Sequence, residues 1–113
     1  MRITGSTARA ITEYLHEISN GQVGIAQIGG DIGNGARIID GNQQIVWLAE
    51  PRKAVAYYLG QVDAYAEARS IARADLPAIV REAHTEIMRD GRPKITTWYT
   101  QGKGIGAFRA NQK

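Results

Sequence analysis

The stretch from Pro51 to Gly91 constrains the fold most, because apolar side chains recur there at helical spacing with a single interruption. Val55, Tyr58, Leu59, Val62, Tyr65 and Ala66 follow a 3.6-residue period through to about Ala72, and Pro51 suits the first turn of such a helix. The ADLP sequence then resets the pattern. Asp75 is placed to cap a second helix with Pro77 in its first turn, Leu76, Ile79, Val80, Ala83 and Ile87 form the new stripe, and Asp90-Gly91 stops it. The first of these helices would be roughly 30 Å long, against a radius of gyration of about 13 Å for a chain of this size. Part of it, rich in tyrosine and alanine, is therefore expected to form a homodimer interface through residues 55–72, unless it simply lies across a sheet.

The flanks follow other periods. Ser6 is the expected N-cap of a short amphipathic helix carrying Ile11, Tyr14, Leu15 and Ile18, which Asn20-Gly21 ends. VGIAQI, ARIID and QQIVWL then read as three short strands of an antiparallel meander, the last two joined by a turn at Asp40-Gly41 or Gly41-Asn42. The chain closes with KITTWYT and GKGIGAFR, two alternating runs around Gln101-Gly102 that read as a hairpin. The predicted class is α+β: one domain over residues 1–113, in the order α-β-β-β-α-α-β-β, with an antiparallel sheet packed against helices.

Composition limits the chemistry. With 113 residues and no cysteine, a single core is expected, and disulfides, thiolate nucleophiles and cysteine-bound metals are excluded. The apolar runs are too short to span a membrane and MRITGSTARA has no signal-peptide core, so a cytoplasmic location is expected. The two histidines stand 68 positions apart and belong to no metal motif, so no metal, cofactor or catalytic residue is predicted. Glu82 with Glu86, and Asp63 with Glu67, share helix faces but are interleaved with Arg69, Arg73, Arg81 and Arg89, the pattern of a solvated face laced with ion pairs.

GGDIGNG, residues 29–35, resembles a phosphate cradle in composition only. No Lys-Ser/Thr pair follows it, and it leads into a strand where a phosphate loop would open a helix. A wide connection between strands, able to fold over a ligand held elsewhere, fits better.

Net charge is +3, and the excess is concentrated at one end: residues 91–113 hold five basic and no acidic side chains. On the expected hairpin, alternation places Ile95, Thr97, Tyr99, Gly104, Gly106 and Phe108 on an inner face. Lys94, Thr96, Trp98, Thr100, Lys103, Ile105, Ala107 and Arg109 fall on the outer one. One register sets Lys94 opposite Arg109, a like-charge pair that an anion would relieve. Cations around a tryptophan suit a nucleotide: the ring stacks on a base while lysine and arginine hold phosphates. The predicted ligand-binding set is therefore Lys94, Thr96, Trp98, Thr100, Lys103 and Arg109, with Asn34 and Arg37 from the glycine-rich loop and the strand after it.

The expected function is that of a non-enzymatic protein holding a phosphate-bearing ligand, a nucleotide or nucleotide-derived signal, as a sensor or a sequestering sponge. The alternative is an interaction module or inhibitor, of the phage or plasmid accessory type, docking its basic hairpin on an acidic partner surface. Single-stranded nucleic acid is a further alternative ligand, and an enzyme is the least supported class.

Overall fold

The computed structural model describes residues 1–28, 36–39, 45–48 and 50–112. The turn expected at 40–42, the GGDIGNG connection and Asn34 within it lie outside the described residues.

Helix α1 spans Gly5–Ile18. Its cap is Thr4, not Ser6: the Thr4 hydroxyl accepts from the Thr7 amide, and the Thr7 hydroxyl accepts from the Thr4 amide 3.1 Å away. Two threonines thereby satisfy both ends of a capping box, which leaves Ser6 exposed inside the first turn. The helix stops where Asn20 (φ 55°) and Gly21 (φ 82°) enter the left-handed region, which turns the Gly21 amide back onto the His16 carbonyl at 2.8 Å. The chain that follows is fastened to α1 by the buried Thr12 hydroxyl, which accepts from the Ala26 amide at 2.8 Å. It continues into three short antiparallel strands in the order β1 (Gln27–Ile28), β2 (Ala36–Ile39) and β3 (Ile45–Leu48).

Helix α2 runs over Pro51–Ala68 and is buried along most of its length, from Ala54 to Val62 without a break. A helix apolar all round belongs in a core, and α2 is the axis about which the others pack. At about 27 Å it fits within a body of 36 × 31 × 24 Å, and the burial that its tyrosines and alanines require is met within one chain. A short 3₁₀ turn at Arg73–Asp75 reverses the chain, so Asp75 lies in the turn and Pro77 takes the N-cap position of α3 (Ala78–Arg89). Val80, Ala83 and Ile87 are the buried stripe of α3, and Leu76 is buried just ahead of it.

The predicted C-terminal hairpin does not form. Residues Pro93–Ala110 are a single 18-residue helix, α4, started by a proline in its first turn. Its inner face is Ile95, Gly102, Gly106 and Arg109, a helical repeat in which two of the four positions are glycine. These glycines let α4 press backbone to backbone on α2. A Cβ at Gly102 would collide with the Tyr57 carbonyl, one at Gly60 with the Tyr99 carbonyl, and one at Gly106 would stand 2.8 Å from the Cα of Gln61. Contacts advance together along both helices, Tyr57 with Gly102 and then Gln61 and Ala64 with Gly106, so α2 and α4 run parallel.

The class is corrected accordingly. Among the described residues the protein is a helical domain built from four α-helices, and every core residue lies on a helix or on a link beside one. The α+β reading fails because the alternation in 94–109 came from threonines and glycines, whose pattern mimics a strand, while the helix is secured by packing.

The glycines separate two kinds of position on one helix. Gly104 is exposed, and a Cβ placed there would meet nothing within 4 Å, so Gly104→Ala is expected to raise stability by about 1 kcal/mol through helix propensity alone. Gly102→Ala gains the same propensity but must push the helices apart, and is expected to lower stability by about 1–3 kcal/mol or more. Urea denaturation of both variants measures the contrast.

Candidate ligand-binding site

Helical geometry disperses the residues expected to line one surface. Lys94 and Trp98 flank one side of the buried stripe of α4, whereas Thr96, Thr100 and Lys103 lie on the other. Arg109 is in the stripe itself and is 6% exposed. The like-charge pairing of Lys94 with Arg109 does not exist, since 15 residues of helix separate them by about 22 Å. The Trp98 ring is half-buried and edge-on to Tyr57, with centroids 5.9 Å apart, so its outer flank alone is available to a ligand. Arg37 lies in β2, opposite Gln27 and Trp47.

Lys94 enters a different grouping. Because α2 and α4 are parallel, their N-termini open at the same end of the molecule, beside a depression of about 460 Å³ lined by Glu50, Lys53, Arg92, Pro93, Lys94 and Ile95. The N-cap residues are Glu50 and Arg92; neither side chain makes a capping hydrogen bond, and neither helix has an acidic residue in its first turn. The amides of Lys53 and Ala54 return to the Glu50 carbonyl, and those of Ile95 and Thr96 to the Arg92 carbonyl, leaving the Arg52 and Lys94 amides as the outward donors. Glu50 bridges the two helices, with one oxygen 2.9 Å from Arg92 and the other 3.5 Å from Lys53. Lys94 is exposed and has no carboxylate within 4.0 Å among the described residues.

Helix α3 returns antiparallel to the same end and ties it together. Arg52 of α2 reaches Glu86 at 3.0 Å and Asp90 at 3.3 Å, and Arg92 grips Asp90 at 3.0 Å. The hydrogen bond from Arg52 holds the Glu86 carboxyl below its ordinary pKa, and the hydrogen bonds from Arg92 do the same for Asp90.

A second polar group lies further along α2. Asp63 Oδ2 accepts a hydrogen bond from the Tyr99 hydroxyl and lies 3.0 Å from His84 Nε2. Arg73 approaches the same His84 nitrogen at 2.9 Å, and the His84 and Tyr99 rings meet edge to face at 6.2 Å. Burial works to raise the Asp63 pKa, but the hydrogen bonds from His84 and Tyr99 and the Arg73 charge outweigh it, so the carboxyl titrates below its ordinary range. Burial first, and then the bond to Asp63, push the Tyr99 phenol well above its ordinary range and keep it a neutral donor. Beside this group is an open depression of about 310 Å³ with Ala66, Glu67, Ile71, Leu76 and Lys103 on its walls.

Sequence reasoning found Lys94 and Lys103 by charge but missed Lys53 and Arg92 as neighbours of Lys94, and missed Asp63, Arg73, His84 and Tyr99 as a cluster beside Lys103. The helix-start prolines at 51 and 93 were the available signal for the first group, while the second is assembled from α2, α3, α4 and the turn before α3, with no local signature. The chain matches no protein-family model, no curated protein and no solved structure.

The charged clasp at the α2/α4 end dictates an acid limb. Both pKa values are depressed in the fold below 4.5 for Glu86 and 3.8 for Asp90, so the stabilisation is complete above those values and is lost as pH falls through the lower folded ones. The melting temperature is therefore expected to drop as pH is lowered from about 4.5. The Glu86→Gln/Asp90→Asn double variant is expected to melt lower at neutral pH and to show a flatter acid limb, as a thermal melt series across pH would measure.

Proposed function

We propose that this protein is a non-enzymatic binding protein for a phosphate-bearing small molecule, with the phosphate seated where α2 and α4 begin. The observation that carries this reading is the meeting of two parallel, uncapped helix N-termini beside Lys53, Arg92 and Lys94. Each terminus presents the positive end of a helix dipole and one outward amide hydrogen, that of Arg52 or of Lys94, and an anion placed between them completes both helices at once. Lys94 supplies the charge not already engaged by a carboxylate among the described residues. Pro93 and Ile95 provide an apolar wall for the non-phosphate part of the molecule. Glu50 opposes the anion, and by bridging Lys53 and Arg92 it holds those cations in place until the ligand competes for them.

The relevant ligands are mono-, di- and cyclic nucleotides, with inorganic phosphate and pyrophosphate as the minimal probes. A ligand present at a hundred times its dissociation constant is expected to stabilise the protein by about 2.7 kcal/mol, read as a rise in melting temperature that fades with added salt. Lys94→Ala is expected to weaken that ligand about tenfold, and Lys103→Ala, on the far flank of α4, to leave it unchanged. No shift with any phosphate compound, or equal loss in both variants, overturns the assignment.

A further inference from the structure

The depression beside Asp63 differs chemically from the groove at the helix N-termini. Its rim carries two carboxylates, Asp63 and Glu67, and two cations, Arg73 and Lys103, over a floor of Ala66, Ile71 and Leu76. The rim is neutral in sum, yet its opposite charges do not cancel in place. Among the described residues no ion pair within 4.0 Å joins either carboxylate to either cation, and the close partner of Asp63 is His84, 3.0 Å away. A purely anionic or purely cationic ligand would be attracted by one half of such a rim and repelled by the other.

The hydrogen bonds leave matching vacancies in donor and acceptor capacity. Asp63 uses Oδ2 for both His84 and Tyr99, so its second oxygen faces no donor among the described residues. His84 Nε2 is approached by both Asp63 at 3.0 Å and Arg73 at 2.9 Å, and it cannot serve both. As a donor it satisfies the Asp63 carboxylate and turns an N–H toward the Arg73 N–H; as an acceptor it satisfies Arg73 and turns a lone pair toward the carboxylate. The charged carboxylate makes the donor arrangement the better one, and the exposed Arg73 guanidinium then has no protein acceptor among the described residues. A carboxylate entering the depression supplies it, and an ammonium group supplies the donor that Asp63 Oδ1 lacks.

We propose that this depression binds a small zwitterion bearing an ammonium and a carboxylate, the class of free α-amino acids. The ammonium is held by Asp63 and Glu67, the carboxylate by Arg73 and Lys103, and an aliphatic side chain lies on Ala66, Ile71 and Leu76. At about 310 Å³ the cavity is at the small end of the range of about 300–1,000 Å³ for ligand pockets, which suits a single amino acid. This site is independent of the phosphate groove, since it uses none of the same side chains.

The test is a titration of the 113-residue chain with leucine, followed by calorimetry and by the backbone amide NMR signals of Ala66, Ile71 and Tyr99. Two single-charge analogues, 3-methylbutylamine and 4-methylpentanoate, are titrated alongside. Leucine is expected to bind at least about tenfold tighter than either analogue, and Glu67→Gln and Lys103→Gln, both at exposed positions, each to weaken it about fivefold or more. Lys94→Ala is expected to leave leucine binding intact, which separates this site from the groove. The proposal is overturned by absence of leucine binding, by an analogue that binds as tightly, or by either rim variant binding leucine as the parent does.

Discussion

Everything in this structure depends on how closely α2 and α4 approach. Gly60, Gly102 and Gly106 remove the side chains that would hold the helices at ordinary separation, and backbone meets backbone over the middle of both. Dispersion between atoms falls steeply with distance, so a close seam gathers many weak contacts along a shared length of helix. It also admits little adjustment. A small residue at each crossing fixes the relative height of the two helices, because sliding would drive Tyr57, Gln61 or Ala64 into a neighbouring turn.

That constraint explains the rest of the topology. Two neighbouring helices can lie parallel only if something brings the chain back between them, and α3 does so. Leu76, just ahead of its start, lines a depression with Ala66 and Glu67 near the end of α2, and its end is drawn to the beginning of α2 by Arg52. Helix α1 then covers the remaining apolar side of α2 with Ala8, Ile11 and Leu15. The buried tyrosines fit the same logic, since Tyr65 reaches out of the core to give its hydroxyl to Gln22 at 2.7 Å and so anchors the link after α1.

The legible and illegible parts of the sequence divide along the same seam. Helices α1, α2 and α3 announce themselves, because their buried positions include Ile, Leu, Val or Tyr at a helical period and their ends carry Pro or Gly signals. Helix α4 conceals itself, because its buried positions include glycines, which register as neither apolar nor helix-forming, and its outer positions alternate threonine with larger residues. Pro93 was the one local sign of a helix start. The candidate sites were partly legible for the same reason: Lys94 and Lys103 stand out as charges, but their neighbours depend on the direction of a helix that the pattern did not reveal. Asp63, Arg73, His84 and Tyr99 come together only once α3 has reversed and α4 has docked, so no spacing in the chain could have linked them.

The two candidate sites therefore share a single mechanical origin. One is at the end of the α2–α4 seam and the other on its flank, and each takes at least one side chain from α4: Lys94 at the first, Tyr99 and Lys103 at the second. A seam fixed by backbone contact holds those side chains at set heights relative to Glu50, Lys53 and Asp63 on α2. The glycines of α4, which first suggested room for a ligand against the backbone, serve instead to seat the helix. Recognition is thereby moved from the helix face that carries them to the residues on either side.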